Sequence, residues 1–342
     1  MRCKPLALML LAALAVAPRA AADTVTLRNG DIVEGRIEKV EEDGLTVRTE
    51  DGAATYLRAE VRTWTVERTG PDGEKTAATF MFKPEPLKMP FKTETDHYVI
   101  KTDIDERVCR RAGQAMEQLY RAYNAIFRLG NKAAKKKAEV VIFDKEEDFR
   151  RYADETSVKP REDTLGFFRA NGDGAGQIVT FKRRTDEFDT MSTLYHEATH
   201  QFITMKLGVG NLPPLWLNEG MAVYFENSRW EKGKLRTGFI PRKRLQQLQR
   251  AIRRGEYVHL ADLIKRDRDT YDSLCYAEGW SLVYFFVKVN RGAYARRVVR
   301  YFDALEKGED HDKAFRRCFT RDLGKLEKAW KEFVLALEVP DD

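Results

Sequence analysis

LYHEATHQFITMKLGVGNLPPLWLNEGMAVYFE, residues 194–226, governs how the rest of the chain is read. A helix advances about 100° per residue, so His196 and His200 project from one face, about 40° apart and one turn along the axis. Two imidazoles so placed can take adjacent corners of one tetrahedral zinc ion. Histidine is scarce, five in 342 residues, and two of the five stand here with Glu197 directly after the first. Phe188, Met191, Tyr195, Ala198, Phe202 and Met205 form an apolar stripe at helical spacing. The histidines point away from that stripe, into a second environment. The bland alternative is a solvated helix face on which Glu197 is a casual neighbour, and a third ligand decides between the two.

Eighteen residues separate His200 from Glu219, which stands in the apolar setting Trp216, Leu217, Met221, Ala222 and Phe225. The gap fits one turn and the start of a second helix, launched by Pro213 and Pro214. An unpaired carboxylate among such neighbours is costly. A His196-His200-Glu219 triad with its fourth position open to water resolves that cost. Glu197 then stands beside the ion as a general base.

HEATH, the 18-residue gap and the tetrad Leu217-Asn218-Glu219-Gly220 resemble the gluzincin metallopeptidases. The likeness is to the peptidase MA, aminopeptidase N-like superfamily and a secreted bacterial branch grouped with it. It extends over roughly residues 91–337, and 194–226 is its specific part. It implies a zincin-like fold, one zinc ion held by His196, His200 and Glu219, and Glu197 as the catalytic base. A tyrosine in a Y-x-x-G setting that steadies the oxyanion is also implied, and Tyr276 with Gly279 matches it, with Tyr271 and Tyr284 as competitors. Metzincins are disfavoured, because Ile203 and Lys206 stand where their glycine and histidine are required.

Two departures limit what is carried over. The G-x-M-E-N strand of the aminopeptidases has no counterpart, since GQAMEQ at 113–118 belongs to an expected helix. Exopeptidase specificity is therefore not implied, and the strand at 176–181 is the candidate for holding an extended peptide through its main chain. Val223 occupies the position of the thermolysin-type acid. The outer hydrogen-bond partners of the histidines thus stay open, with Glu226 as a candidate.

Working outward, residues 91–342 read as the metallopeptidase-like domain. Strands are expected at HYVIKTD, AEVVIFD, GFFRA and QIVTF, with helices over 105–129 and 146–154, and the chain reads as largely helical from 187 onward. Strands first and helices later give α+β, with a mainly helical C-terminal half. Residues 23–68 carry short alternating runs with turns at Asn29-Gly30, Asp43-Gly44 and Asp51-Gly52. They predict a small all-β barrel, loosely similar to SH3-like or Sm-like barrels, which binds an unknown partner. Residues 69–90, with Gly70-Pro71 and three further prolines, read as a linker.

Residues 1–22 have Arg2 and Lys4, an apolar run from Leu6 to Ala17, and Ala20-Ala21-Ala22. That is the pattern of a signal peptide, giving an exported protein, periplasmic or extracellular, with no stable membrane insertion after cleavage. The formal charge is +6, and residues 1–22 hold three basic residues and no acid, leaving 57 basic against 54 acidic. So small a surplus gives no case for nucleic acid. Cys109, Cys275 and Cys318 lack CxxC spacing, and three buried thiols or one bridge with a spare remain equal alternatives. The expectation is a secreted zinc metallopeptidase, most simply an endopeptidase acting on peptides or proteins. The alternatives are an inactive, metal-stabilised binding or cell-envelope scaffold, and a zinc hydrolase of a non-peptide amide or ester.

Overall fold

The computed structural model describes residues 22–58, 60–69, 72, 74–81, 86–127, 136–171, 175–183, 187–289 and 294–340. All of the expected leader except Ala22 lies outside these residues. No helix among them is long and apolar enough to cross a membrane. The chain divides into two compact units between Pro86 and Leu87.

The first unit is all β: β1 (Asp23–Leu27), β2 (Ile32–Val40), β3 (Gly44–Thr49), β4 (Gly52–Leu57), β5 (Val61–Thr69) and β6 (Lys75–Phe80). They form one antiparallel sheet in the order β4-β3-β2-β1-β5-β6. Gly30, at φ +97°, supplies the left-handed turn between β1 and β2. β2 pairs with β1 through its first half and with β3 through its second, with a register shift between Ile37 and Lys39. That shift curls the sheet around Val25, Leu45, Val47, Val61 and Trp64. β6 falls inside the stretch read as a linker. None of its side chains is buried, so it carries no alternation for a sequence reading to detect.

The second unit begins with β7 (Phe91–Glu94), β8 (Tyr98–Thr102), α1 (Glu106–Phe127), β9 (Ala138–Phe143), α2 (Glu146–Glu155), β10 (Gly166–Arg169) and β11 (Gln177–Phe181). Its sheet runs β10-β11-β9-β8-β7, parallel at β8-β9-β11 and antiparallel at both ends. Val140, Ile142 and Ile178 face one core with α1. Val141, Phe143, Val179 and Phe181 face another with Phe149 of α2. Continuous apolar runs are what a sheet covered on both faces requires. β11 lies between β9 and β10, so its main chain is already paired on both sides. The sheet's edges are β10 and β7, and of the two it is β10 that lies beside Glu197, which corrects the expectation that 176–181 holds a peptide; alternation cannot reveal which of two adjacent strands is at the edge.

The helical half follows: α3 (Glu187–Leu207), α4 (Leu215–Glu226), the hairpin β12 (Arg229–Glu231) and β13 (Lys234–Arg236), then α5 (Arg242–Arg254), α6 (Leu260–Leu263), α7 (Ser273–Lys288), α8 (Ala295–Glu306), α9 (His311–Cys318) and α10 (Leu323–Ala336). α3 differs from the one-stripe helix expected. Leu194, Tyr195, Ala198, Phe202, Ile203 and Leu207 are buried, and so are Thr199, Gln201, Thr204 and Lys206, so the helix is enclosed over most of its circumference. The Phe188 side chain lies outside the described residues. Thr199 and Lys206 of α3 find specific partners. The Tyr123 hydroxyl of α1 meets Thr199 Oγ1 at 2.7 Å, and Lys206 Nζ meets Asp303 and Glu306 of α8 at 3.1 and 3.0 Å. These contacts fix the rotation of α3 about its axis. Cys109, Cys275 and Cys318 are buried free thiols.

A candidate metal centre

α3 ends at Gly208, whose φ of +79° turns the chain, and Pro214 caps α4. The two helices therefore meet as neighbours, with the histidines of one facing Glu219 of the other. Nε2 of His196 lies 3.5 Å from Glu219 Oε2, and Nε2 of His200 lies 3.6 Å from the same oxygen. One ligand atom from each of the three residues falls within 4.8 Å of the others. A tetrahedral ion with bonds of about 2.1 Å has ligand-to-ligand edges of about 3.4 Å. The two edges to Glu219 match that figure, so the triad is a candidate site for one metal ion.

Each imidazole is oriented from behind. His196 Nδ1 is 2.7 Å from Glu226 Oε2, and His200 Nδ1 is 3.0 Å from Asn218 Oδ1. Such partners fix the tautomer that presents Nε2 to a metal. Glu226 was a candidate from the sequence. Asn218 was not singled out, although a polar side chain within LWLNEGMAV has to find a partner when buried.

Charge reinforces the arrangement. Burial would raise the Glu219 carboxyl, but His200, His196 and Arg268 outweigh it and hold the group down to about 2. Burial disfavours the charged form of His196, yet hydrogen bonds to Glu219 and Glu226 carry it well above the ordinary histidine range. Protons and a metal thus compete for one cluster of groups. Arg268, from the segment between α6 and α7, places Nη2 3.3 Å from Glu219 Oε1. Arg244 of α5 places Nη2 3.6 Å from Glu226 Oε1. Neither arginine was found from the sequence, since a single arginine in a basic segment carries no spacing signal.

Glu197 lies along the start of β10: a methyl built on Gly166 would sit 3.3 Å from its Cγ. Tyr276 is half-buried on α7, whose N-terminus Asp272 caps by accepting from the amides of Leu274 and Cys275, both at 3.0 Å. The Tyr276 phenol is pushed up to about 12, first by burial and then by Glu219, against the pull of Arg268 and Arg244. It is therefore a proton donor at neutral pH. Its competitors are placed otherwise. Tyr271 is buried with an unpartnered hydroxyl among the described residues, and Tyr284 packs against Trp280, Tyr224 and Phe333. GQAMEQ lies within α1, where Glu117 pairs with His97 at 2.9 Å.

α4 and α7 cross in close contact. The position of a Cβ on Gly220 is 2.4 Å from the Gly279 carbonyl oxygen, and that of a Cβ on Gly279 is 2.8 Å from the Trp216 carbonyl oxygen. The two glycines bring the Tyr276 helix onto the Glu219 helix.

A family described as a protein of unknown function (DUF1570) matches residues 190–304. That span holds the triad together with Glu197, Glu226, Arg244, Arg268 and Tyr276. A search of the curated proteins gives no match.

Proposed function

We propose that the second unit is a zinc-dependent metallopeptidase of gluzincin type, acting as an endopeptidase on exported or extracellular peptides and proteins. The observation that carries the reading is the meeting of both Nε2 atoms on one oxygen of Glu219 at tetrahedral spacing, with Glu197 next in sequence to the first ligand. Two imidazoles and one carboxylate suit zinc, and three protein ligands leave a position for solvent. When bound, the ion lowers the pKa of water towards neutrality and polarises the scissile carbonyl.

The chain's own residues do the rest. Glu197 accepts the proton of the attacking water and returns it to the leaving amine. The Tyr276 hydroxyl donates to the oxygen on which negative charge develops in the transition state. Glu226 and Asn218 keep the histidines in register, and the open edge of β10 offers main-chain donors and acceptors to an extended substrate. The pattern of residues 1–22 supports export of the protein.

The test is metal analysis together with turnover of a quenched peptide library. Glu197→Gln is expected to keep one zinc per chain and to lose at least about 100-fold in turnover. Tyr276→Phe is expected to lose about 100-fold with KM little changed. A Glu197→Gln protein as active as the wild type removes the proposal.

A further inference from the structure

Two guanidiniums flank this centre and are not accounted for by the chemistry above. Arg268 uses Nη2 on Glu219 Oε1, and with its side chain 72% exposed it presents the remaining fork to solvent. Arg244 is paired to Glu226 Oε1 and lies 5.6 Å from the centroid of the Tyr276 ring. In both pairs the other carboxylate oxygen is turned to a histidine, Glu219 Oε2 to both Nε2 atoms and Glu226 Oε2 to His196 Nδ1. The arginines therefore stand on the outer side of the carboxylates, around the tyrosine.

The charge balance gives this placement a meaning. A divalent ion and two guanidiniums face three carboxylates, Glu197, Glu219 and Glu226, which leaves one positive charge on the site. A neutral peptide does nothing to offset that excess, whereas a substrate carboxylate does. Arg268 stands one carboxylate beyond the histidine nitrogens, 3.3 Å from Glu219 Oε1 where those nitrogens meet Oε2, a span within the reach of about two extended residues. Its planar fork suits bidentate binding of a carboxylate.

We propose that Arg268, supported by Arg244, is the specificity-determining group of the site, and that it selects peptides carrying a carboxylate within about two residues of the scissile bond. The inference rests on the metallopeptidase reading for its substrate class. The carboxylate comes from an acidic side chain or from a free C-terminus, and the two sources are separable.

The experiment uses zinc-loaded Glu197→Gln protein and hexapeptides of one alanine- and phenylalanine-rich sequence labelled with an uncharged BODIPY dye, with anisotropy as the readout. One peptide is neutral and amidated, one has a single aspartate and is amidated, and one is neutral with a free C-terminal carboxylate. At least one anionic peptide is expected to bind about 10-fold tighter than the neutral one, an advantage that shrinks as salt rises. The tighter of the two anionic peptides identifies the source. In Arg268→Ala the advantage should collapse and in Arg268→Lys survive in part, both at unchanged zinc content. A group that merely positions Glu219 would not alter the ratio between peptides. If Arg268→Ala sheds zinc, Arg268→Lys and Arg244→Ala carry the test, each with a reduced ratio expected.

Equal binding of charged and neutral peptides, an advantage left undiminished by these substitutions, or no binding of the anionic peptides would overturn the inference. A wild-type protein that prefers anionic peptides but hydrolyses none would remove the peptidase proposal and leave the anion site standing. Hydrolysis without charge preference does the reverse.

Discussion

Adding one methyl group at Gly220 should disturb the metal centre without touching a ligand. The new carbon would lie 2.4 Å from the Gly279 carbonyl oxygen and 2.5 Å from its carbon, both backbone atoms of α7 that no rotamer change can move. Ordinary contact begins near 3.4 Å, so the helices have to part by about 1 Å. Glu219 is the adjacent residue, and Tyr276 lies one turn before the point of contact. Metal sites tolerate ligand displacements of about 0.2 Å, several times less than this separation. Gly220→Ala is therefore expected to lose about 1–3 kcal/mol of stability, as overpacked cores do, and at least about 10-fold in zinc affinity. Urea denaturation and competition against a chelating dye measure the two effects. Gly210→Ala serves as the control, because its methyl would meet nothing within 4 Å. A Gly220→Ala protein with the wild-type urea midpoint and zinc affinity would refute the claim that the helix crossing sets the site.

Two further expectations follow from buried polar groups. Glu278 on α7 is fully buried, with Oε1 accepting from the Val258 amide at 2.8 Å and Oε2 unpartnered among the described residues. Burial, chiefly, pushes its carboxyl from an ordinary 4.5 up to about 8. Because the folded pKa is the higher one, Glu278 is harmless below pH 4.5 and destabilises the fold increasingly as pH rises towards 8. Glu278→Gln should match the wild type at pH 4.5 and exceed it at pH 8 by up to about 4 kcal/mol in urea titrations; a gap independent of pH would contradict this. Asn218→Ala, which strips His200 of its Nδ1 partner, should lower zinc affinity about 10- to 100-fold in chelator competition while the far-UV circular dichroism stays unchanged. Unaltered affinity would show that Asn218 does not orient the ligand.

What could be read beforehand followed from periodicity and chemical need. His196, His200 and Glu219 were legible because two imidazoles at helical spacing and a carboxylate among apolar residues each demand a partner. Glu226 was within reach of the same reasoning, whereas Tyr276 was singled out only by the resemblance, through its Y-x-x-G setting with Gly279. Asn218 had the same signal, a polar group in an apolar run, but its neighbour Glu219 claimed the attention. Arg244 and Arg268 left no trace, since an arginine's role depends on which carboxylate the fold brings to it. The strands at 98–102, 138–143, 166–169 and 177–181 announced themselves through apolar runs. β6 and β7 did not, one being wholly exposed and the other having no fully buried side chain. The order of strands, and hence which of them lie at the edges, is a property of pairing between distant segments.

The triad draws its members from consecutive helices, so an ion bridging His196 and Glu219 would tie together a short stretch of chain. Loop-closure entropy grows only with the logarithm of the length enclosed. Such a clasp removes little freedom from the unfolded chain and acts mainly against local parting of α3 from α4. Chelation should accordingly speed hydrogen exchange at amides in the turn between these helices well before it shifts the global melting of the second unit.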